Sequence, residues 1–254
     1  MKSIFIITKL TIKESFKSKV FLNSLLIGVC LSVLAYLISE LAYGDQAKVA
    51  IDIGLGFLFF SLMGISIFYG STLINNELND GNLYYLLPKI SSRSIYFLGR
   101  SLGISLVLFF EACSVSFFVL LIYKVFDGKF NGLLFLNFGF IYLSSLVMLM
   151  VTTFFSQFTN NLISVLLSIF VYFIGYGLFS SLESDIFQNG TNFKIFLDLI
   201  SYFFPNFYVL DIKDYLFYKH NLESNYIVQT VFSTLVYLIG LIIINLKIFY
   251  KRSF

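Results

Sequence analysis

Six long apolar runs constrain this chain more than any other feature. A hydrocarbon core about 30 Å thick needs roughly 20 consecutive apolar residues in a helix, and runs of this kind recur along the 254 residues. They predict an all-α polytopic membrane protein with a single transmembrane domain over 1–254. The six predicted transmembrane helices cover about residues 20–38, 53–74, 101–123, 133–155, 162–180 and 227–249.

The overall composition agrees with this prediction. Hydrophobic residues make up 58% of the chain and charged residues 12%, with a mean hydropathy of +0.88. Ordinary soluble domains are about 45–50% apolar and about 25% charged. The composition therefore excludes a soluble globular domain.

The lysines and arginines predict the orientation. Cytoplasmic loops carry an excess of these residues, and the excess is obtained when both termini are cytoplasmic. The aromatic content, 33 Phe and 17 Tyr with no Trp, favours a bacterial source, so the predicted location is the bacterial inner (cytoplasmic) membrane. Of the 17 Lys and Arg residues, the predicted inner side then carries Lys2, Lys9, Lys13, Lys17, Lys19, Lys89, Arg93, Arg100, Lys247, Lys251 and Arg252. The predicted outer side carries Lys48, Lys124, Lys129, Lys194, Lys213 and Lys219.

Residues 1–19 are predicted to form an interfacial amphiphilic helix. Lys9, Lys13 and Lys17 recur at every fourth position and share a helix side with aromatic and aliphatic residues, while hydroxyl side chains fall opposite. Lysine stems can lie along apolar surface while the ammonium groups reach lipid phosphate, and each contributes about 1 kcal/mol near an anionic leaflet. A solvated basic tail is the alternative interpretation.

A charged segment at 75–100 separates the second and third runs on the predicted cytoplasmic side. Its leucines follow i, i+3, i+4 spacing: Leu83, Leu86 and Leu87. Pro88 ends this pattern, so the spacing predicts a short helix over 76–88 with an apolar edge. The edge fits a docking surface for a cytoplasmic partner and a helix resting on lipid equally well.

Glu111 lies near the middle of the third run. An ionisable side chain there costs about 2.5–3.5 kcal/mol, so it should face protein or a cavity. Two functional interpretations are open, a carboxylate on a substrate path and a hydrogen bond across a dimer interface. The alternative is a protonated structural glutamate bonded to a neighbouring hydroxyl or to Asn137.

Residues 182–226 form a long external segment in this orientation. The segment is apolar and aromatic but is interrupted by Asp198 and Pro205, so it is too broken for a span. It predicts re-entrant helices that dip into the outer leaflet, where non-helical backbone must be shielded by protein.

Few residues could support catalysis. Acid/base or metal chemistry in the membrane needs several convergent groups, but the spans offer Glu111 alone. His220, the only histidine, has no Cys/His cluster nearby, so no metal site is predicted. No G-x-x-x-x-G-K-[S/T] phosphate loop occurs, so no ATPase site is predicted in this chain. We therefore expect that the chain is not an enzyme and binds no cofactor itself.

Two motifs carry a family resemblance. The stretch NELNDGNLYYLLPKISSRSIYFLGR resembles the cytoplasmic segment of ABC-2-type transporter permeases, roughly E-x-E-x-G-T-L-x-x-L-L-x-x-P-x-S-R followed by G-K or G-R. The matching positions are Glu77, Gly81, Leu83, Leu86, Leu87, Ser92, Arg93, Gly99 and Arg100. Asn79, Asn82 and Ile90 depart from the pattern. FPNFYVLDIKDYL resembles the P-N-x-x-x-x-D-x-K/R element before the last span of that family.

The resemblance implies partners and residue roles. The segment at 76–88 would be a coupling helix that inserts into a separate nucleotide-binding ATPase subunit, and that subunit would bind ATP and Mg. The other implied partners are a second permease copy or paralogue and membrane lipid. No nucleic-acid partner is implied. The residues implied in ATPase coupling are Glu77, Gly81, Leu83, Leu86, Leu87 and Arg93. The implied external gate consists of Pro205, Asn206 and Asp211. Arg100 would either brace the coupling helix or extend to lipid phosphate.

The expected function is that of a permease subunit in an ATP-binding-cassette transporter. It would export a hydrophobic or amphiphilic substrate across the cytoplasmic membrane. The alternative is a non-transporting ABC membrane subunit that transmits ATPase-driven motion to another membrane or periplasmic complex.

Overall fold

The computed structural model describes residues 2–79, 93–128, 131–183, 203–217 and 224–251. Within these ranges the chain forms eight helices: α1 (Lys2–Lys17), α2 (Lys19–Leu41), α3 (Gln46–Asn79), α4 (Arg93–Val125), α5 (Gly132–Ser156), α6 (Asn161–Glu183), α7 (Lys213–Phe217) and α8 (Ser224–Lys251). Six of them, α2 to α6 and α8, are long and apolar enough to cross a membrane. The prediction of six spans is confirmed, and each predicted run lies inside one of these helices.

Two helices extend well beyond the predicted spans. The α3 helix continues from residue 74 to Asn79, and α4 begins at Arg93 instead of residue 101. Residues 76–79 of the predicted coupling helix are thus the end of α3, and its remaining residues lie outside the described part of the chain.

The core of the fold lies between α3, α4 and α5. Leu58 of α3, Val107 of α4 and Leu149 of α5 are each fully enclosed. Close helix approach is achieved at Gly70, where an added Cβ would lie 2.9 Å from the Leu149 carbonyl oxygen. The buried share of each span falls from 61% in α5 to 17% in α6 and 11% in α8, so these last two helices are peripheral.

The chain bends between α1 and α2 at a single residue, Ser18. Its amide still donates to the Glu14 carbonyl at 2.9 Å, and its hydroxyl accepts from the Phe21 amide at 3.5 Å. Serine is favoured at such a position because its side chain caps the new helix start. The cap ends α1 and begins the first span.

The two ends of the bundle carry different connections. Residues 42–45 and 126–131 connect helices at what we call the α2–α3 end, and residues 157–160 lie at the opposite end, the α3–α4 end. Lys213, where the 203–213 stretch ends, lies at the α2–α3 end, because its ammonium lies 3.6 Å from the Asp52 carboxylate near the start of α3.

Candidate functional site

At the α3–α4 end, α1 packs against the first turns of α4 through its hydroxyl side. The Thr8 hydroxyl donates to the Gly99 carbonyl at 3.1 Å. A Cβ at Gly103 would lie 2.5 Å from the Thr11 Cβ, so a larger residue there would displace the helix. Gly99 and Gly103 form a G-x-x-x-G pair, which permits close helix contact in membranes.

An ion pair also joins α1 to α4. The Arg100 guanidinium donates to the Glu14 carboxylate, so Arg100 is attached to α1 in addition to its position near the predicted interface. The three interface lysines, Lys9, Lys13 and Lys17, are exposed on the side of α1 that faces away from the bundle. That side is therefore free to meet headgroups, while the hydroxyl side is used for packing.

Two of the six predicted coupling residues lie in the described part of the chain. Glu77 lies in the last turn of α3, and Arg93 is the first residue of α4. The remaining members lie outside the described residues: Gly81, Leu83, Leu86 and Leu87. Both flanking helices continue unbroken into the bundle, so the segment is joined to two spans by helical backbone.

Glu111 is fully enclosed within the bundle. The Tyr142 hydroxyl of α5 donates to the Ser105 carbonyl of α4 at 3.0 Å, and this bond sets the level of the two helices. Glu111 lies six residues after Ser105, and the buried Asn137 lies five residues before Tyr142. Because α4 and α5 are antiparallel, the two side chains are at about the same depth. Glu111 lies inside one chain and not on its outer face, which gives no support to direct contact with a second copy.

The three residues of the predicted external gate lie on one folded stretch. Asn206 accepts a hydrogen bond from the Val209 amide at 3.1 Å through its side-chain oxygen. The Pro205 carbonyl lies close to α6, because a Cβ at Gly175 would approach its oxygen to 2.7 Å. Asp211 accepts from the Lys213 amide at 3.4 Å at the start of α7.

This stretch reaches deep into the bundle. The Phe203 carbonyl accepts a hydrogen bond from the Tyr237 hydroxyl at 3.0 Å. Tyr237 lies thirteen residues beyond Ser224, which is roughly 20 Å along α8. Non-helical backbone at such a depth is stable when it is covered by protein or lines a cavity. We call residues 203–212 the re-entrant stretch because of this inward path. They form no helix, and the re-entrant helices expected over 182–226 stay a prediction.

A cavity of about 190 Å³ opens beside this stretch, between α3, α5, α6 and α7. Aromatic rings form much of its wall, and we call it the polar cavity because six polar side chains converge there: Asn137, Ser144, Tyr172, Tyr176, Asp211 and Lys213. The Tyr176 hydroxyl points to the Asp211 carboxylate at 3.5 Å. The cavity could hold a small polar group with an apolar attachment.

The sequence-based predictions do not include a buried hydrogen bond between the side chains of Gln157 and Asn245. Gln157, in the α5–α6 connection, donates to the Asn245 side-chain oxygen of α8 at 2.6 Å, and both residues are buried. Asn245 in turn donates to the Met150 carbonyl at 3.1 Å. Asn245 is a polar residue within an apolar run, and that was the available sequence signal.

The described fold defines a polytopic helical membrane protein in which a surface helix is attached at one end and a cavity opens at the other. No protein-family model matches the chain, and no curated protein matches it significantly. The resemblance to ABC-2-type permeases consequently rests on the two short motifs and on the number of spans.

Proposed function

We propose that this chain is the permease subunit of an ATP-binding-cassette exporter, driven by a separate ATPase subunit that docks on the segment at 76–88. The proposed cargo is hydrophobic or amphiphilic. Support comes from the two motifs together with the arrangement of helices on either side of the docking segment.

The continuity of α3 and α4 carries this proposal. The α3 helix ends five residues after its predicted span, which adds about 7 Å of helix. The α4 helix begins eight residues before its own predicted span, which adds about 12 Å. Motion applied to the segment is then passed to the spans, because a helix transmits displacement that a flexible linker would absorb. The attachment of α1 to the first turns of α4 stiffens the helix on one side of this segment.

Disrupting the leucine edge is expected to uncouple the ATPase. Leu83→Ala combined with Leu86→Ala removes the predicted apolar anchor, so co-purification of the proposed ATPase subunit should fall at least about tenfold, which corresponds to about 1.4 kcal/mol. Bound ATPase is quantified after affinity purification, and ATP hydrolysis is measured in proteoliposomes.

Leu41→Ala is the matched control, because Leu41 is exposed at the opposite end of the bundle. It should leave ATPase binding unchanged. Equal binding by the control and the double variant, or no associated ATPase with the wild-type chain, would contradict the proposal.

Replacing the Glu111 carboxyl group with an amide is expected to lower transport by about tenfold. Glutamine keeps the shape of the side chain but removes the ionisable group. Such a group is costly to place in a span, so we expect it to serve a function there. Substrate flux in proteoliposomes is compared with the thermal unfolding midpoint of Glu111→Gln. Unchanged flux at normal stability would assign Glu111 a structural role.

A further inference from the structure

Three cavities lie one after another along the bundle, from the α2–α3 end to the last turn of α5, and the re-entrant stretch lines each of them. The polar cavity shares Phe207 and Leu210 with a second cavity of about 200 Å³, which we call the bridging cavity. The bridging cavity shares Phe204 and Tyr237 with a third of about 500 Å³, which we call the apolar cavity. Shared walls make these spaces neighbours along one path.

Two charged side chains line the polar cavity, Asp211 and Lys213. The Lys213 ammonium lies 3.6 Å from the Asp52 carboxylate, which is outside the cavity wall. The Asp211 carboxylate is exposed at the wall. Among the described residues no cation forms an ion pair with Asp211, so its charge is available to a positively charged ligand.

Aromatic rings surround the same space. The Tyr172 ring centroid lies 5.6 Å from that of Phe59, 6.1 Å from that of Tyr176 and 5.1 Å from that of Phe207. Aromatic faces attract organic cations, with a contribution of about 0.5–2 kcal/mol. A carboxylate beside such a cluster favours an ammonium group over an anion.

One buried donor also points to a ligand. The Nδ2 amide of Asn137, a residue 1% exposed on the cavity wall, has no hydrogen-bond partner in the described part of the chain. A buried donor without an acceptor costs about 1–3 kcal/mol. An oxygen acceptor near the cationic group of a ligand, such as a phosphate or ester oxygen, would satisfy it.

The apolar cavity has the chemistry of a hydrocarbon site. Its walls are aliphatic and aromatic side chains of α5, α6 and α8, including Val151, Phe154 and Val171. At its edge Phe203 and Ile244 are 81% and 46% exposed, so the cavity is reached from the outer face of the bundle. A volume of about 500 Å³ lies within the range of drug-sized ligand pockets.

We propose that the three cavities form one site for an amphiphile, with an ammonium-bearing head in the polar cavity and a hydrocarbon chain in the apolar cavity. The re-entrant stretch separates the two ends and contacts the ligand along its length. The role of this ligand as cargo rests on the proposed function, whereas its binding does not require an ATPase.

Two lysolipids with the same palmitoyl chain test the head chemistry. Palmitoyl-lysophosphatidylethanolamine carries an ammonium and a phosphate, and palmitoyl-lysophosphatidylglycerol carries the phosphate alone. Binding to the purified full chain in dodecyl maltoside is titrated by native mass spectrometry. The ethanolamine lipid should bind at least about tenfold more tightly, because cation–π and carboxylate contacts add to its affinity.

Single substitutions test the two ends separately. Asp211→Asn should abolish the preference for the ammonium head, and Asp45→Asn, in the exposed α2–α3 connection, should keep it. Gly240→Leu should weaken both lysolipids about tenfold by filling the apolar cavity. Gly177→Leu is its control: a Cβ at either glycine meets no described atom beyond its own helix within 4 Å, and Gly177 does not line the cavity.

The source of the ligand is identified by lipid extraction. Lipids retained by protein purified from its native membrane are compared with the bulk membrane lipids, and ammonium-bearing amphiphiles should be enriched. Occupants that are also present in the bulk membrane would identify a membrane lipid, and occupants absent from the bulk lipids would identify a dedicated cargo. Equal affinity for the two lysolipids, or unchanged binding by both Asp211→Asn and Gly240→Leu, would overturn the proposal whether or not an ATPase binds this chain.

Discussion

Replacing Gly103 with alanine is expected to displace α1 from α4. The new Cβ would lie 2.5 Å from the Thr11 Cβ and 2.8 Å from its Cγ2, so the helices must separate. Overpacking of this kind costs about 1–3 kcal/mol. Ser15 is buried, so a cysteine placed there by Ser15→Cys should react with maleimide faster when α1 detaches. The measurement uses a background without the free cysteines Cys30 and Cys113.

Gly64→Ala is the matched control for this substitution. A Cβ at Gly64 meets no described atom outside its own helix within 4 Å. Alanine is also the better helix former by about 0.8–1.0 kcal/mol, so stability should be unchanged or slightly higher. Equally slow labelling in the Gly103→Ala variant would show that α1 does not depend on this close contact.

Substituting Asn245 with leucine is expected to lower the free energy of unfolding by about 1–3 kcal/mol. The substitution removes the acceptor of the Gln157 amide, and a buried donor without a partner carries that cost. The Met150 carbonyl also loses one donor. Thermal unfolding in detergent, followed by circular dichroism, measures the change.

The double variant Gln157→Leu with Asn245→Leu should recover most of this loss, because two apolar partners leave no donor unsatisfied. The deviation from additivity gives the coupling energy of the pair. Gln229→Leu, at an exposed position of α8, serves as the control and should be nearly neutral. Strictly additive single effects would contradict a direct contact between the two amides.

The spans were predictable from sequence, whereas the helix ends were not. Hydropathy reports the part of a helix that lies in hydrocarbon. It does not report where the backbone hydrogen bonds stop, and α3 and α4 continue through polar residues to Asn79 and back to Arg93. Once a helix is formed, each further residue adds a bond at low cost, so polar extensions persist.

The packing face of α1 was only partly predictable. The helical wheel separated lysines from hydroxyls, and the lysines suggested contact with lipid headgroups. Gly99 and Gly103 form a G-x-x-x-G pair in the sequence, but the pattern alone does not indicate that the hydroxyl side of α1 packs against it. Small residues drive close contact in membranes, where apolar surface gives no preference for protein over lipid.

The cavity at the α2–α3 end could not be derived from sequence. The resemblance implies a role for Asp211, but its proximity to Tyr176 joins residues 35 positions apart. The sequence indicates Asn137 only as a neighbour of Glu111, and its place on the cavity wall depends on the arrangement of four helices. Such contacts follow from tertiary packing, which no local pattern encodes.

The attachment of α1 to α4 has a consequence for biosynthesis. The hydrogen bond from Thr8 to Gly99 joins residues 91 positions apart. At about 5–20 residues per second, translation needs roughly 5 to 18 s to produce the second partner after the first. During that time the nascent N-terminal helix must wait at the surface while two spans enter the bilayer, and its basic, aromatic side suits it to that delay.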